Sequence, residues 1–249
     1  MSHIAEKYNF RDFTLKNYKR ILKIAKNNFI FQSFDSSFKK KNILLWRHDV
    51  DYSLKYALEL AKIEHSLGVK STYFILIHNN FYNAFDAISS ERIKRIIKLG
   101  HAIAIHFDPH FYRIRSKKQL EYYLTLEKKI FKELWKINVS VFSFHNPDKF
   151  ILTFRDFTYA GLINTYSGFF QKKFTYCSDS NGYWRYNRLE DLLLKPDVSC
   201  AQILTHPGWW QETEKSPKKR IEKIVHDLSS EILTGYDGTL KRSHRKNIN

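Results

Sequence analysis

Strand-like and helix-like segments alternate through most of this 249-residue chain, and that alternation limits the folds open to it. The predicted strands span 42–46, 71–77, 102–105, 139–144 and 201–205. The predicted helices span 14–28, 54–66, 89–99, 116–135 and 216–233. Apolar residues recur in these helices at helical spacing, and Gly68 and Gly100 follow two of them. Repeated strand–helix–strand units favour a parallel sheet or barrel with the helices outside.

The length and composition favour one large α/β domain. Apolar residues make up 43% of the chain and aromatic residues 16%, which is enough to bury a sizeable core. Internal repeats and low-complexity linkers do not stand out. We expect a single domain over 1–249, with an N-terminal helical extension at 1–41, the catalytic motifs at 43–210, and a C-terminal helix and basic tail at 211–249.

The formal charge of +17 raises the question of a nucleic-acid partner. The surplus Lys and Arg are spread over many short segments rather than gathered in one stripe, so we expect no specific nucleic-acid binding. Electrostatic association with a membrane surface or with anionic substrates fits this distribution better. The sequence does not predict an oligomeric state.

The expected location is the cytoplasm. The opening "MSHIAEKYNF" has no apolar signal-peptide core, and no apolar run approaches the roughly 18 residues that span a bilayer. Cys177 and Cys200 are the only cysteines, which excludes a disulfide framework and fits a reducing compartment.

Charged clusters follow four of the predicted strands: "RHDVD", "HFDPH", "SFHNP" and "LTHPGWW". Ligands of parallel α/β folds sit at the carboxyl ends of strands, so we expect these clusters to converge on one rim. Asp49 and Asp51 should share a face because strand side chains repeat with period two. They could be two ligands, or a base beside a ligand. Arg47 or His48, pointing elsewhere, is expected to brace the strand.

His106 and His110 form an H-x-x-x-H pattern that resembles two zinc ligands on a helix. Pro109 disfavours a helix at Asp108, so His106 is expected at a strand end and His110 on the following turn. Two neutral imidazoles and one carboxylate form a three-ligand set that leaves metal positions open for water and substrate. A metal site is therefore predicted at this rim.

Other polar and aromatic side chains are weaker candidates. His145 and His206 sit at strand ends and could orient substrate or transfer protons, or simply bond backbone carbonyls. His101 lies at the opposite end of its strand and is expected to be structural. Three tryptophans could form a wall for a sugar ring or a lid on the core, namely Trp184, Trp209 and Trp210. A turn-rich segment contains Asp179, Ser180 and Arg185. These residues could orient the ligands or the base through hydrogen bonds, or they could form a turn with surface charges.

In this order the clusters resemble the polysaccharide deacetylase superfamily (the NodB-homology fold, carbohydrate esterase family 4), most closely its divergent branch linked to surface-polysaccharide biosynthesis. The resemblance covers about residues 43–210. Its strongest part is "GHAIAIHFDPH", which is similar to the family's G-H-E-I-G-x-H-S/T-x-x-H. It implies a single-domain distorted (β/α) barrel of about seven parallel strands with an N-terminal helix.

The resemblance also implies roles for individual residues. Asp49 matches the catalytic base, and Asp51, His106 and His110 match the metal ligands. "LTHPGWW" resembles the motif whose histidine is the general acid, which gives that role to His206. "SDSNGYW" resembles the motif in which Asp179 tunes this histidine and Trp184 lines the pocket.

The chain departs from the family pattern at two positions. His145 stands where the family usually has an arginine, which leaves the residue that orients the base unassigned. Phe107 replaces a serine or threonine, which removes a hydroxyl from the site.

Together these residues and the resemblance imply hydrolysis of an N-acetyl group on an amino sugar or glycan precursor, with one divalent ion. Zn²⁺ is favoured, and Co²⁺, Ni²⁺ and Mn²⁺ are alternatives. A superfamily amidohydrolase acting on a non-sugar C–N amide is a rival hypothesis. Another is an inactive glycan-binding homologue.

Overall fold

A computed structural model describes residues 3–248. Its strands are β1 (Ile30–Gln32), β2 (Ile43–Val50), β3 (Thr72–Ile75), β4 (Ala102–Phe107), β5 (Val141–Phe144), β6 (Thr158–Tyr159), β7 (Leu162–Asn164), β8 (Thr175–Ser178) and β9 (Cys200–Thr205). Its helices are α1 (His3–Lys7), α2 (Leu15–Asn28), α3 (Leu54–Ser66), α4 (Ala87–Lys98), α5 (Lys117–Trp135), α6 (Gly168–Lys173), α7 (Leu189–Leu193) and α8 (Pro217–Arg242).

The strands form one curled, mostly parallel sheet, a half-barrel in the order β6-β7-β5-β4-β3-β2-β9-β8, with β1 paired to β2. Only β6 runs antiparallel among the described strands. The predicted α/β barrel-like fold is confirmed. The four short strands β1, β6, β7 and β8 were not predicted, and α8 continues nine residues beyond its predicted end at 233.

Helix starts follow the sequence signals closely. The side chains of Thr14, Ser53, Asp86 and Ser116 each accept a hydrogen bond from a backbone N–H in the first turn of the helix that follows. Such caps satisfy amide groups that have no partner within the helix. No helix within residues 3–248 combines the length and apolarity needed to cross a membrane.

Both faces of the sheet are buried, which explains why its central strands read as nearly continuous apolar runs. Every residue of β2 is buried. Inward-facing Ile43 and Leu45 pack with five phenylalanines inside the half-barrel: Phe34, Phe38, Phe74, Phe170 and Phe174. Outward-facing side chains pack against the helices in two larger clusters. These layers fix the strand ends that carry the site.

A buried polar network braces the outer face of β2. His48 faces α3, where its Nε2 lies 2.6 Å from an oxygen of Glu64. The hydroxyls of Tyr18 and Tyr73 also donate to the Glu64 carboxylate, and Thr205 Oγ1 lies 2.7 Å from His48 Nδ1. His48 therefore braces the strand, as expected. Buried charges need such partners, since an unpaired one costs several kcal/mol or more.

Glu127 on α5 is a buried carboxyl group of a different kind. Its side chain is fully buried, and neither oxygen has a hydrogen-bond partner among residues 3–248. The titratable groups facing it are Tyr112, Asp108 and His78, whose Nε2 lies 3.9 Å from Glu127 Oε1. Burial raises the pKa of Glu127 well above its ordinary value, so the folded protein keeps this group protonated where an exposed glutamate would ionise.

We expect Glu127→Gln to raise thermal stability at pH 8 and to have little effect near pH 4. The unfolded chain releases the Glu127 proton above about pH 4.3, so stability falls by about 1.4 kcal/mol per pH unit up to the raised folded pKa. Glutamine removes this loss, and each kcal/mol gained should raise Tm by about 2–4 °C. Melting curves at both pH values measure the effect. Glu133→Gln on the same helix is the control, because Glu133 is exposed. Equal Tm shifts at pH 4 and pH 8 would contradict the prediction.

Candidate metal centre

Two aspartates lie at the carboxyl end of β2. Asp49 is the next-to-last residue of the strand, and Asp51 is the first residue beyond it. The side chain of Asn79 donates to the backbone oxygen of Asp51 at 2.8 Å, and Tyr82 Oη donates to Val50 O at 2.7 Å. These bonds fix the turn after the strand, so the Asp51 carboxylate has a defined position above the inside of the half-barrel.

Three histidines reach the same rim from neighbouring strands. His106 is the next-to-last residue of β4, His145 directly follows β5, and His206 directly follows β9. Their ring nitrogens lie 3.0, 3.4 and 3.6 Å from the Asp51 carboxylate, in that order. The expected convergence of four distant segments is therefore present.

The atoms of Asp51, His106 and His145 have the spacing of a metal coordination shell. Asp51 Oδ1 lies 3.0 Å from His106 Nε2 and 3.4 Å from His145 Nδ1, and the two nitrogens are 3.2 Å apart. In a tetrahedral shell with ligands about 2.0–2.1 Å from Zn²⁺, neighbouring ligand atoms are about 3.3–3.4 Å apart. The donor set and its spacing fit a divalent ion.

The protonation pattern points the same way. His106 Nδ1 lies 2.8 Å from Ser143 Oγ, whose own proton is directed toward Asp49 Oδ1 at 3.5 Å. Nδ1 therefore donates, and Nε2 presents a lone pair to the cluster. Asp51 Oδ1 is buried and accepts no hydrogen bond, although His106 Nε2 is 3.0 Å away. Two lone pairs at this distance repel each other unless a cation lies between them.

The electrostatics of the cluster favour an ionised aspartate. Burial alone would raise the pKa of Asp51, but the imidazoles of His106 and His145 lower it far below its ordinary value when their nitrogens facing Asp51 carry a proton. Burial would likewise lower the pKa of His145, and the Asp51 carboxylate raises it instead. A negative oxygen is thus held where a cation would bind.

His110 is not in this group of three. It is exposed, and its Nε2 donates to the backbone oxygen of Asn146 at 2.9 Å. Asp108 Oδ1 accepts the backbone N–H groups of His110 and Phe111, which closes a tight turn and directs His110 sideways. The structure therefore brings His145 to Asp51 and His106, where the H-x-x-x-H motif suggested His110.

His206 is oriented by Asp179. Both Asp179 oxygens accept the backbone N–H of His206, Oδ1 lies 2.6 Å from its Nδ1, and Oδ2 accepts the indole N–H of Trp210. Nε2 is left facing the cluster. Burial alone would lower the pKa of His206, but the Asp179 carboxylate raises it to about 9. The ring is therefore held as an imidazolium in the folded protein at neutral pH.

Arg47 points into the site and not away from it. Its Nη2 donates to Asp49 Oδ2 at 3.1 Å. Of the two residues offered for the opposite face, His48 lies there, whereas Arg47 shares the face of Asp49 because strand side chains repeat with a period of two.

The remaining candidates are the three tryptophans and Arg185. Trp209 is buried against Tyr52, and Trp184 stacks on Phe13 while its indole N–H donates to Asp12. Trp210 is fully buried in the core. Arg185 is exposed and lies over the ring of Tyr186. The three tryptophans thus pack against other aromatic side chains, and Arg185 lies at the surface.

Two hydrogen bonds at the site were not predicted from the sequence. Ser143 bonds His106, and Arg47 bonds Asp49. In both cases the signal was available: Ser143 lies two residues before His145, and Arg47 two residues before Asp49, so each pair shares a strand face.

No family model matches the chain, and no curated protein matches it. The solved structures that are similar to it include the following three. One is a chitin deacetylase from the fungal pathogen Colletotrichum lindemuthianum, with 14% sequence identity, a match over 76% of this chain and 84% of that chain, and a TM-score of 0.45. Another is a family 4 carbohydrate esterase from Bacillus anthracis, with 14% identity, a match over 84% of this chain and 85% of that chain, and a TM-score of 0.44. The third is the peptidoglycan deacetylase PdaC from Bacillus subtilis, with 11% identity, a match over 82% of this chain and 98% of that chain, and a TM-score of 0.44. At these identities and scores the likeness carries no argument about activity, so the functional argument rests on the site.

Proposed function

We propose that this protein is a metal-dependent deacetylase of the NodB-homology type, which hydrolyses the N-acetyl group of an amino sugar. The observation that carries the proposal is the mutual spacing of 3.0–3.4 Å among Asp51 Oδ1, His106 Nε2 and His145 Nδ1. These three residues would hold the ion, with His145 in place of His110. Zn²⁺ suits this donor set best, and Co²⁺, Ni²⁺ and Mn²⁺ are alternatives.

The bound ion would supply positive charge that polarises an acyl carbonyl and lowers the pKa of a coordinated water. Asp49 is the base that would take the proton of the attacking water. Its Oδ2 lies 3.8 Å from His106 Nε2, so the carboxylate is beside the ion site without belonging to the group of three. A base needs this adjacency.

His206 is the acid that would protonate the departing amine. Its Nε2 faces Asp51 Oδ2 at 3.6 Å, while Asp179 holds Nδ1 and keeps the ring charged. The base and the acid thus approach the Asp51 carboxylate from two strands, β2 and β9. Water adds its oxygen to the acyl carbon, and the amine leaves with the proton from His206.

The substrate is proposed to be an amino sugar or a glycan precursor of surface-polysaccharide biosynthesis, met in the cytoplasm. This part rests on the motif resemblance to the branch linked to surface-polysaccharide biosynthesis. The formal charge of +17 suits an anionic carrier or a membrane-associated substrate.

We expect the protein to release acetate from N-acetylated amino sugars, to lose this activity after EDTA treatment, and to regain it with Zn²⁺. Protein without the ion can neither polarise the carbonyl nor acidify the attacking water, so the base and the acid lose their effect. Their contribution is about 10²–10⁴-fold, so the metal-free protein should retain less than about 1% of the rate. A coupled acetate assay measures turnover of the N-acetylated sugars, and chromatographic detection of the ring-opened product measures turnover of a matched panel of small cyclic amides.

The outcomes separate the rival hypotheses. Turnover of cyclic amides without turnover of sugars would favour the non-sugar amidohydrolase. Metal and sugar binding without turnover would favour the inactive binding homologue. Activity that survives complete metal removal would reject the proposal.

A further inference from the structure

We propose that Arg47 is a positioning residue that fixes the carboxylate of Asp49 for proton transfer, an inference that rests on the proposed function. Arg47 is fully buried inside the half-barrel. Its Nη2 donates to Asp49 Oδ2 at 3.1 Å, and its Nη1 donates to Thr165 Oγ1 at 2.6 Å. One planar cation therefore links the base to the segment that follows β7.

The guanidinium is itself held in place. Its Cζ lies 5.4 Å from the ring of Phe74 and 5.2 Å from the ring of Tyr166, within cation–π range of both. The Tyr166 hydroxyl adds a longer contact at 3.5 Å. The planar guanidinium is thus held by two rings and a hydroxyl while it donates to Asp49. A lysine ammonium on a flexible stem would not be held in this way.

Asp49 depends on this contact because its other oxygen is weakly held. Among the described residues, Oδ1 accepts a hydrogen bond only from the Ser143 hydroxyl, at 3.5 Å. Without Arg47 the carboxylate could rotate about its last torsion, and a misplacement of about 1 Å can cost about 100-fold in rate. The hydrogen bonds of Arg47 go to Asp49, Thr165 and Tyr166, so its action on the site passes through Asp49.

The charge balance of the inner face supports the same assignment. A buried arginine needs a buried anion, and Asp49 supplies it on the same strand. Burial alone would lower the pKa of Arg47, but the Asp49 carboxylate together with Tyr166 and Tyr176 raises it. Arg47 and Asp49 are therefore a pair whose members are each costly to bury alone.

The test is a kinetic comparison of Arg47→Met and Arg47→Lys with wild type. Arg47→Met is expected to lower kcat by about 100-fold, with KM and metal content unchanged. Arg47→Lys retains a cation without the two-pronged fork and should recover part of the rate. Arg220→Met is the matched control, since Arg220 is also fully buried but bonds backbone oxygens of Gly182 and Phe10. It should lose stability and keep kcat.

Combining Arg47→Met with Asp49→Asn separates positioning from general structural support. If Arg47 acts through Asp49, Arg47→Met should change the residual rate of Asp49→Asn by less than about 2-fold, because the two effects are not additive. A full 100-fold loss in both backgrounds would overturn the inference. Loss of metal in Arg47→Met would overturn it as well.

Urea unfolding of wild type, Arg47→Met, Asp49→Asn and the double variant tests the pair without any substrate. Arg47→Met should lower the unfolding midpoint much more in the wild-type background than in Asp49→Asn, where no unpaired carboxylate remains. If no substrate is turned over, the proposed function fails, and this cycle still decides whether Arg47 and Asp49 act as a unit. Equal shifts in both backgrounds would reject the pairing.

Discussion

His145→Ala is expected to lose the bound divalent ion, while His110→Ala keeps it. His145 Nδ1 is within 3.2–3.4 Å of the other two ligand atoms, whereas His110 uses its Nε2 to donate to Asn146 O. Even an outer-shell partner is worth about 10–100-fold in metal affinity, so loss of a ligand should cost at least the upper figure. Elemental analysis and competition with a chelating dye, on protein purified without a histidine tag, measure the difference.

The two variants are matched, because each replaces one histidine of the same rim by alanine. Asp51→Ala and His106→Ala should behave like His145→Ala. The reverse pattern, with metal lost in His110→Ala and retained in His145→Ala, would restore the ligand set that the H-x-x-x-H motif implies. It would also mean that the turn at Asp108 opens when the ion binds.

Asp49→Asn is expected to lower turnover by about 10²–10⁴-fold while the metal content stays at the wild-type level. An amide has the shape of the carboxylate but cannot take a proton from water at neutral pH. Acetate release under saturating substrate, with metal measured on the same sample, tests this. Some loss of stability should accompany it, because Arg47 then lacks its buried anion.

Asp108→Asn is the control for this substitution. Asp108 lies beside the rim and uses Oδ1 to accept two backbone N–H groups, a task that an amide oxygen can also perform. It should retain most of the activity. If Asp49→Asn keeps wild-type turnover, Asp49 is not the base; if it loses the metal, Asp49 is a ligand instead.

The strands that carry the site were predictable because each couples an apolar run to a polar cluster. β2, β4, β5 and β9 have that pattern, and their order along the chain sufficed to expect one rim. The period of two also placed Asp49 on one face and His48 on the other, where it meets Glu64.

The short strands were not predictable in the same way. β6, β7 and β8 contain only two to four residues each, and their segment has no sustained alternation of apolar and polar residues. Such strands form because a neighbouring strand offers a free edge, which is a tertiary effect. The choice between His110 and His145 is also tertiary. Spacing cannot reveal that Asp108 caps a turn that directs His110 toward Asn146.

The phenylalanines inside the half-barrel bear on how this chain could be divided or recombined. Phe34 and Phe38 precede the first motif, yet they pack with Ile43 and Leu45 at the amino end of β2, beneath Arg47 on the same strand face. A fragment that begins at β2 would lose both rings and leave a cavity beneath that buried cation. The motif-bearing segment is therefore not expected to transplant on its own, because residues that precede it complete the packing below the site.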